Sequence, residues 1–404
     1  MTPALFDSIR LGTLALCNRI VRAATYEGGA DADGTPGADY RRMYEELAAQ
    51  DIGLIVTGFT FVSRQGRAMQ PRQAGLDDDA KLPAFRAVTD AVHRGGTPIV
   101  AQLAHAGRQT RCERTGERPV SCTRTPSVYF RERPRLLRDD EIQDIAAQFA
   151  RAAARAQRAG FDGVQLHAAH GYLLHQFLLP QLNRLRGPFG VDETSGIGTA
   201  LLGRVIDGVR SACGPDYPVL VKISGETDLG QPFFPTHFDR LIDWLREQAI
   251  TAVEISCGSM DYALNIFRGD LPFALVRRHN PLLRSRLPLL PEIKAACFRK
   301  RILPLFRPFA PMYNLAFAER AKLRGGIPVV TVGGVRSRRE MVEAVEAGRA
   351  DLVALSRPFL REPDLVRRLR CADNDHVSPC RNCNHCVIMC DADRRTRCYQ
   401  RSLS

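Results

Sequence analysis

The stretch from Asp139 to Tyr172 reads DDEIQDIAAQFARAAARAQRAGFDGVQLHAAHGY, and it decides the fold. Residues 139–159 are alanine-rich and amphipathic, with Asp at the start and Gly160 just past the end, which predicts a helix. Gly163-Val-Gln-Leu166 is a short apolar run with the character of a buried strand. Directly beyond it stand His167, His170 and Tyr172. A helix, a strand and then a cluster of polar side chains is the local grammar of an α/β protein with its chemistry at the strand ends.

Working outward, the same unit recurs. Strands are predicted at 20–23, 54–57, 99–102, 163–166, 219–223, 252–255, 329–331 and 352–355. Helices are predicted at 38–50, 82–94, 201–211 and 238–248. A further helix opens on a capping box, Ser337 with Glu340, and is closed by Gly348. Eight strand–helix pairs in alternation predict a (β/α)8 TIM barrel. A doubly wound open sheet would carry a glycine-rich dinucleotide fingerprint after its first strand, and none is present. Two connections exceed plain barrel loops, with insertions at about 108–138 and 270–311. The expected organisation is a barrel over 1–370 followed by a short cysteine-rich extension over 371–404.

Composition agrees with an ordinary soluble globular protein. Of 404 residues, 45% are apolar and 25% charged, and no apolar run approaches the length of a membrane span. The net charge of +13 comes from arginine, since only five lysines occur (Lys81, Lys222, Lys294, Lys300, Lys322). The arginines are interleaved with acids and alanines, which argues against nucleic-acid binding, where they would concentrate in a stripe with aromatics. The first ten residues lack a basic start followed by an apolar core, so the expected location is the cytoplasm. Of twelve cysteines, five crowd into the last stretch: Cys380, Cys383, Cys386, Cys390 and Cys398. Tight clustering in a cytoplasmic chain points to metal rather than disulfides.

Three sets of strand-end residues carry chemistry. His167 and His170, three apart, would share a face on a helical turn, and neutral imidazoles there can donate to a carbonyl or developing oxyanion. Tyr172 could then supply a proton. Thr331-Val-Gly333-Gly334 ends the seventh strand and Ser356-Arg357-Pro358 the eighth, the usual phosphate site of this barrel. The third strand ends in Gln102-Leu-Ala-His105-Ala-Gly-Arg108, and the fifth carries Lys222. A non-flavin phosphate-binding barrel, a lyase or isomerase, would need a Schiff-base lysine, for which Lys222 is the only strand-end candidate. A third reading is a metal-binding interaction protein that uses only the tail.

These motifs resemble, in order, the Old Yellow Enzyme family of NADH:flavin oxidoreductases: Asn18 to Thr25, Gln102 to Arg108, His167 to Tyr172, Val332 to Gly334, and Leu355 to Pro358 with the Glu-Pro-Asp-Leu that follows. The similarity spans roughly Ala4 to Tyr399. It leans to the branch that includes 2,4-dienoyl-CoA reductase and trimethylamine dehydrogenase. The resemblance implies FMN, with Ala23, Ala24 and Thr25 against the flavin ring, Gln102 at its pyrimidine edge and Lys222 beside N1 and O2. It implies Gly333, Gly334 and Arg357 at the phosphate. His167 and His170 would anchor the substrate, and Tyr172 would donate the proton. The implied reaction is ping-pong: NAD(P)H delivers hydride to the flavin, and an activated alkene or enone receives it. An amine- or enoyl-type flavin dehydrogenase is the alternative within the family. The segment 183–191 departs from the family pattern.

Cys380-x2-Cys383-x2-Cys386-x11-Cys398 is similar to the [4Fe-4S] motif of that branch, with zinc as the alternative and Cys390 as a fifth thiol. Cluster-bearing relatives continue into FAD- and NAD(P)H-binding domains, so a cluster here would call for a separate electron-transfer partner. A small-molecule substrate is expected, no nucleic acid and no membrane, with a homo-oligomer left open.

Overall fold

The computed structural model describes residues 4–229, 235–280, 303–371 and 376–400, together with 296, 300 and 301. Part of the second predicted insertion, and the ends of the predicted tail, lie outside the described residues.

Eight parallel strands close on themselves: β1 (Ile20–Arg22), β2 (Leu54–Val56), β3 (Ile99–Ala104), β4 (Gly163–Ala168), β5 (Val219–Ser224), β6 (Ala252–Ser256), β7 (Val329–Val332) and β8 (Leu352–Leu355). Each pairs with the next, and β8 returns to β1 through Val353 opposite Ile20 and Leu355 opposite Arg22. Every strand residue is buried, because one face meets the barrel interior and the other meets the helices. This is the predicted TIM barrel. Several predicted boundaries moved by a residue or two. Among the strands the largest change is at β3 and β4, which run two residues further, so that His167 lies on β4 itself.

The main outer helices are α1 (Ala38–Ala48), α2 (Leu82–Arg94), α3 (Asp139–Arg158), α4 (Ala200–Cys213), α5 (Pro235–Glu247), α6 (Leu315–Arg324), α7 (Arg338–Glu346) and α8 (Leu365–Cys371). α3 shows why the sequence signals were legible. Three acids occupy its first turn and two arginines its last, each complementing the helix dipole. Ile142, Ile145, Phe149, Ala152, Ala153 and Ala156 make its buried stripe. Gly160, at φ +90, lets the chain turn back into β4. The Ser337–Glu340 capping box is formed in both directions, with Glu340 N donating to Ser337 Oγ at 3.2 Å and Ser337 N to Glu340 Oε2 at 2.9 Å.

One end of the barrel is plugged. The hairpin Ile9–Leu11/Leu14–Leu16 presses Leu11, Leu14 and Leu16 against inward residues such as Val21, Leu54, Val100 and Leu220. Apolar filling at that end leaves the carboxyl ends of the strands as the place where polar side chains can gather. The 108–138 insertion, predicted as irregular, contains a short helical turn, Cys112–Thr115, and a parallel pair, Val120–Ser121 with Arg135–Leu136.

The cysteine tail packs on the barrel. Ser378 N donates to Arg336 O at 2.9 Å, Arg338 N to His376 O at 3.0 Å, and Thr396 N to Glu27 O at 2.7 Å. Gly28 has no room for a side chain, since a Cβ there would lie 2.4 Å from the Arg394 carbonyl oxygen.

Candidate active site

At the carboxyl ends of the strands lies a cavity of about 740 Å³. Ala24, Thr25, Gln102, His167, His170, Tyr172, Lys222 and Arg357 all line it. A smaller adjoining pocket of about 90 Å³ is lined by Ala23, Gly333, Gly334 and Arg357. Ala24, His170, Lys222, Ser356 and Arg357 line both, so the two are continuous. The fold therefore brings all eleven residues expected around the flavin and substrate to one trough.

His167 and His170 do meet, with ring centroids 4.9 Å apart at 89°, but not through a shared helical turn as predicted. His167 is the fifth residue of β4, whereas His170 sits in a turn at φ +61. Tyr172 then caps the short helix Leu173–Leu178, and its ring stands edge-on to His167 at 4.8 Å. Phe59 stacks on the other side of Tyr172, at 5.6 Å. Burial, and then the Lys222 charge, hold the His167 imidazole well below the usual histidine range. Burial and the neighbouring His167 do the same for His170. Both rings are therefore neutral at pH 7 and carry one N–H each. His167 Nδ1 is buried with no partner among the described residues. His170 Nε2 lies 2.7 Å from Ser256 Oγ, which leaves its other nitrogen for a ligand. Burial also pushes the Tyr172 phenol well above its ordinary value, so it stays protonated.

The phosphate-type pocket is shaped by close backbone approach. Gly333 and Gly334 have φ of +122 and +79, and a Cβ on either would come within 2.6 Å of Tyr313 or of the Ala310 carbonyl oxygen. Ser356 Oγ lies 2.7 Å from Thr25 Oγ1, tying the end of β8 to the loop after β1. Arg357 begins the short helix Arg357–Arg361, and its guanidinium donates to Asn384 Oδ1 at 2.6 Å and to Arg268 O at 3.2 Å.

Below the cavity runs a buried polar chain. Gln102 Nε2 donates to Gln165 Oε1 at 2.6 Å, Gln165 Nε2 donates to Glu254 Oε2 at 2.8 Å, and Lys222 Nζ pairs with Glu254 Oε1 at 2.8 Å. The sequence reading named Gln102 and Lys222 but missed Gln165 and Glu254. Inward-facing polar residues on strands are the signal that would have found them. It also gave no role to Asp261, which accepts from Arg108 Nη2 at 2.9 Å, Gln109 Nε2 at 2.5 Å and Val128 N at 2.6 Å. That carboxylate holds the 108–138 insertion against the loop after β6.

The tail supplies part of the lining: Cys386, Val387, Ile388, Cys390, Asp391 and Thr396 face the main cavity. Its thiols are free. Burial pushes the Cys380 and Cys386 thiols up, and both also feel the charge of Cys383 and Cys398. Among the described residues, however, no three His, Cys, Asp or Glu side chains come close enough to hold a metal ion. The expected four-cysteine metal site is thus not formed as a ligand set.

A sequence model of the NADH:flavin oxidoreductase / NADH oxidase family matches residues 4–264 and 307–375. The chain belongs to that family. This settles the fold-level resemblance to Old Yellow Enzyme proteins and sets aside the non-flavin barrel. It is 29% identical over 381 residues to a metal reductase of Desulforamulus reducens, covering 94% of this chain and 50% of that protein. The chain thus spans about half the length of that relative. It is 29% identical over 390 residues to a 4,4'-dithiodibutanoate disulfide reductase of Rhodococcus erythropolis, covering 96% of this chain and 93% of that protein. The solved structure of an old yellow enzyme homologue from Zymomonas mobilis superposes with a TM-score of 0.69 at 27% identity, over 93% of this chain and 94% of that one. Among the described residues no helix is long and apolar enough to cross a membrane.

The trough fits the FMN that the family implies. It offers a broad cavity for a ring system, a narrow glycine-walled end with Arg357 for a phosphate, and an unpartnered imidazole nitrogen on the cavity.

Proposed function

We propose that this chain is an FMN-dependent oxidoreductase that uses NAD(P)H to reduce an activated alkene or enone. The observation that carries the reading is the trio His167, His170 and Tyr172: two neutral imidazoles and a protonated phenol on one cavity, continuous with a phosphate-sized pocket.

When bound, FMN supplies the two-electron chemistry, accepting hydride from the nicotinamide and giving it up to the second substrate. Gly333 and Gly334 would admit its phosphate and Arg357 would neutralise it. Ala23, Ala24 and Thr25 would border its ring, with Gln102 and Lys222 at the heterocycle edge. His167 and His170 would each donate an N–H to the substrate's carbonyl oxygen, where negative charge grows as the β-carbon is reduced. Neutral donors suit this task, since they need no desolvated charge in the resting site. Tyr172 would deliver its proton to the α-carbon. A depressed phenol pKa would leave it ionised and unable to do so, and burial prevents this.

For the tail we propose that Cys380, Cys383, Cys386 and Cys398 are the thiols that would hold an iron–sulfur cluster, with zinc as the alternative, once a metal drew them together; a cluster would supply single-electron transfer. Soft thiolates select such clusters or zinc.

The test of the main reading is anaerobic turnover of NADPH with 2-cyclohexenone by the FMN-loaded protein. Enone-dependent oxidation that disappears in His167→Ala/His170→Ala, with FMN still bound, supports it. Equal turnover by the double variant would remove the imidazoles from the mechanism.

A further inference from the structure

One carboxylate on the cavity, Asp391, has no task in the proposed reaction. Asp391 sits on the 3-10 turn Met389–Asp391 of the tail and lines the main cavity. It makes no ion pair among the described residues. Its nearest hydrogen-bond partner is the Tyr129 hydroxyl, 3.5 Å from Oδ2, and that hydroxyl in turn accepts from Asn280 Nδ2 at 2.5 Å. Three excursions of the chain meet here: the insertion after β3 brings Tyr129, the loop after β6 brings Asn280, and the tail brings Asp391. The other aspartate on the lining, Asp261, is saturated by Arg108, Gln109 and the Val128 amide. Asp391 is the one that keeps an open acceptor face.

Its surroundings suit a cation. Tyr26, Phe59, Tyr129, Tyr172 and Phe267 present aromatic rings to the same space. Ring faces attract an organic cation, and they do so most strongly where water is excluded. A carboxylate beside them adds a directional ion pair. Arg131 and Arg301 also border the cavity, but both are exposed, where solvent and salt screen their charge. Burial pushes the Asp391 carboxyl up to about 7, only partly offset by the Tyr129 hydroxyl and by the charge of Arg114, with which it forms no ion pair, and a bound cation would favour the ionised form.

We propose that Asp391 is a specificity-determining residue that selects substrates carrying an ammonium group at the end remote from the carbonyl held by His167 and His170. The proposal rests on the ene-reductase reading of the site and names the substrate class it would prefer. The Asn280–Tyr129 pair acts as a positioning arm, holding one carboxylate oxygen so that the other faces the cavity.

The experiment compares two enones of matched shape on the holoenzyme, one bearing a trimethylammonium substituent and one a tert-butyl group. Wild type is expected to favour the cationic enone by about tenfold in kcat/KM, carried mostly by KM. Asp391→Asn should bring that ratio toward one, and Asp391→Glu should restore part of it. Wild type without a preference, or an Asp391→Asn variant that keeps it, overturns the proposal. Binding of benzyltrimethylammonium, followed by perturbation of the flavin absorption, gives a second readout that needs no turnover. Weaker binding to Asp391→Asn supports the cation site even if neither enone reacts, in which case the ene-reductase reading alone fails. Equal binding by wild type and variant contradicts the cation site. FMN content of each variant reports that the cavity is intact.

Discussion

Arg357 Nη1 lies 2.6 Å from the Asn384 side-chain oxygen, so the arginine expected at the phosphate is held by the cysteine tail. Asn384 is itself fixed, donating through Nδ2 to Asp270 O at 3.0 Å. The tail is therefore part of the wall of the strand-end pockets and not an appendage. Asn382 lines the small pocket as well, and Arg336, another lining residue, donates to Cys380 O at 3.1 Å.

This relationship has a measurable consequence for cofactor affinity. Arg357→Ala should weaken FMN binding by about one to two orders of magnitude, the scale of a charge-assisted hydrogen-bond pair. Asn384→Ala should weaken it less, by several-fold, because the guanidinium remains but loses its anchor. Fluorescence titration of apoprotein with FMN checks both. Unchanged affinity in Arg357→Ala would place the phosphate elsewhere.

Tyr172→Phe removes the proposed proton donor while preserving the ring that packs against Phe59 and His167. Reduction of the enone should slow by about 10²- to 10⁴-fold, the usual worth of a positioned general acid. Flavin reduction by NADPH should change little. Stopped-flow separation of the two half-reactions is the measurement.

The ion pair beneath the cavity should be strongly coupled to stability. Lys222 and Glu254 are 5% and 1% exposed, and removing one partner strands a buried charge. Glu254→Ala is expected to cost about 3–5 kcal/mol. Urea unfolding of single and double variants tests this, with Lys222→Met/Glu254→Leu expected to recover much of the loss.

Acid should destabilise the fold through buried histidines. Burial lowers His105 and His175 from the ordinary 6.5 to about 3. A folded-state pKa below the unfolded value means the unfolded chain binds protons first. Their contribution is thus complete above pH 6.5 and is lost as pH falls from 6.5 toward 3. His175 Nδ1 accepts from Gly171 N at 2.8 Å in the turn that carries His170, so the loss also bears on the site. A melting-temperature series over this range should fall steadily, and His175→Gln should flatten part of it.

Much of this arrangement was legible in the sequence. Eight apolar runs, each followed by a helix signal, are enough for the barrel, and residues just past strand ends must face its mouth. That placed His170, Tyr172, Gly333, Gly334 and Arg357 without knowledge of a single contact. Gln165 and Glu254 were not legible, because they lie on different strands and only closure of the barrel brings them together with Gln102 and Lys222. The φ of +61 at His170 was hidden too, since spacing alone suggested a helical turn. The role of the tail in lining the cavity depends on packing across more than two hundred residues of chain, which no local pattern encodes.

Iron analysis addresses the tail by itself. Protein prepared without oxygen should carry about four irons per chain with matching labile sulfide if the proposed cluster forms. Flavin without iron would overturn the cluster and leave the barrel chemistry untouched.

The central claim is that the trough at the strand ends is built around FMN. The most direct measurement is the absorption spectrum of the purified protein, with the flavin released by denaturation and identified. The account expects resolved flavin bands and FMN at about one per chain, or stoichiometric uptake by apoprotein that Arg357→Ala impairs. A colourless protein that takes up no FMN would contradict it.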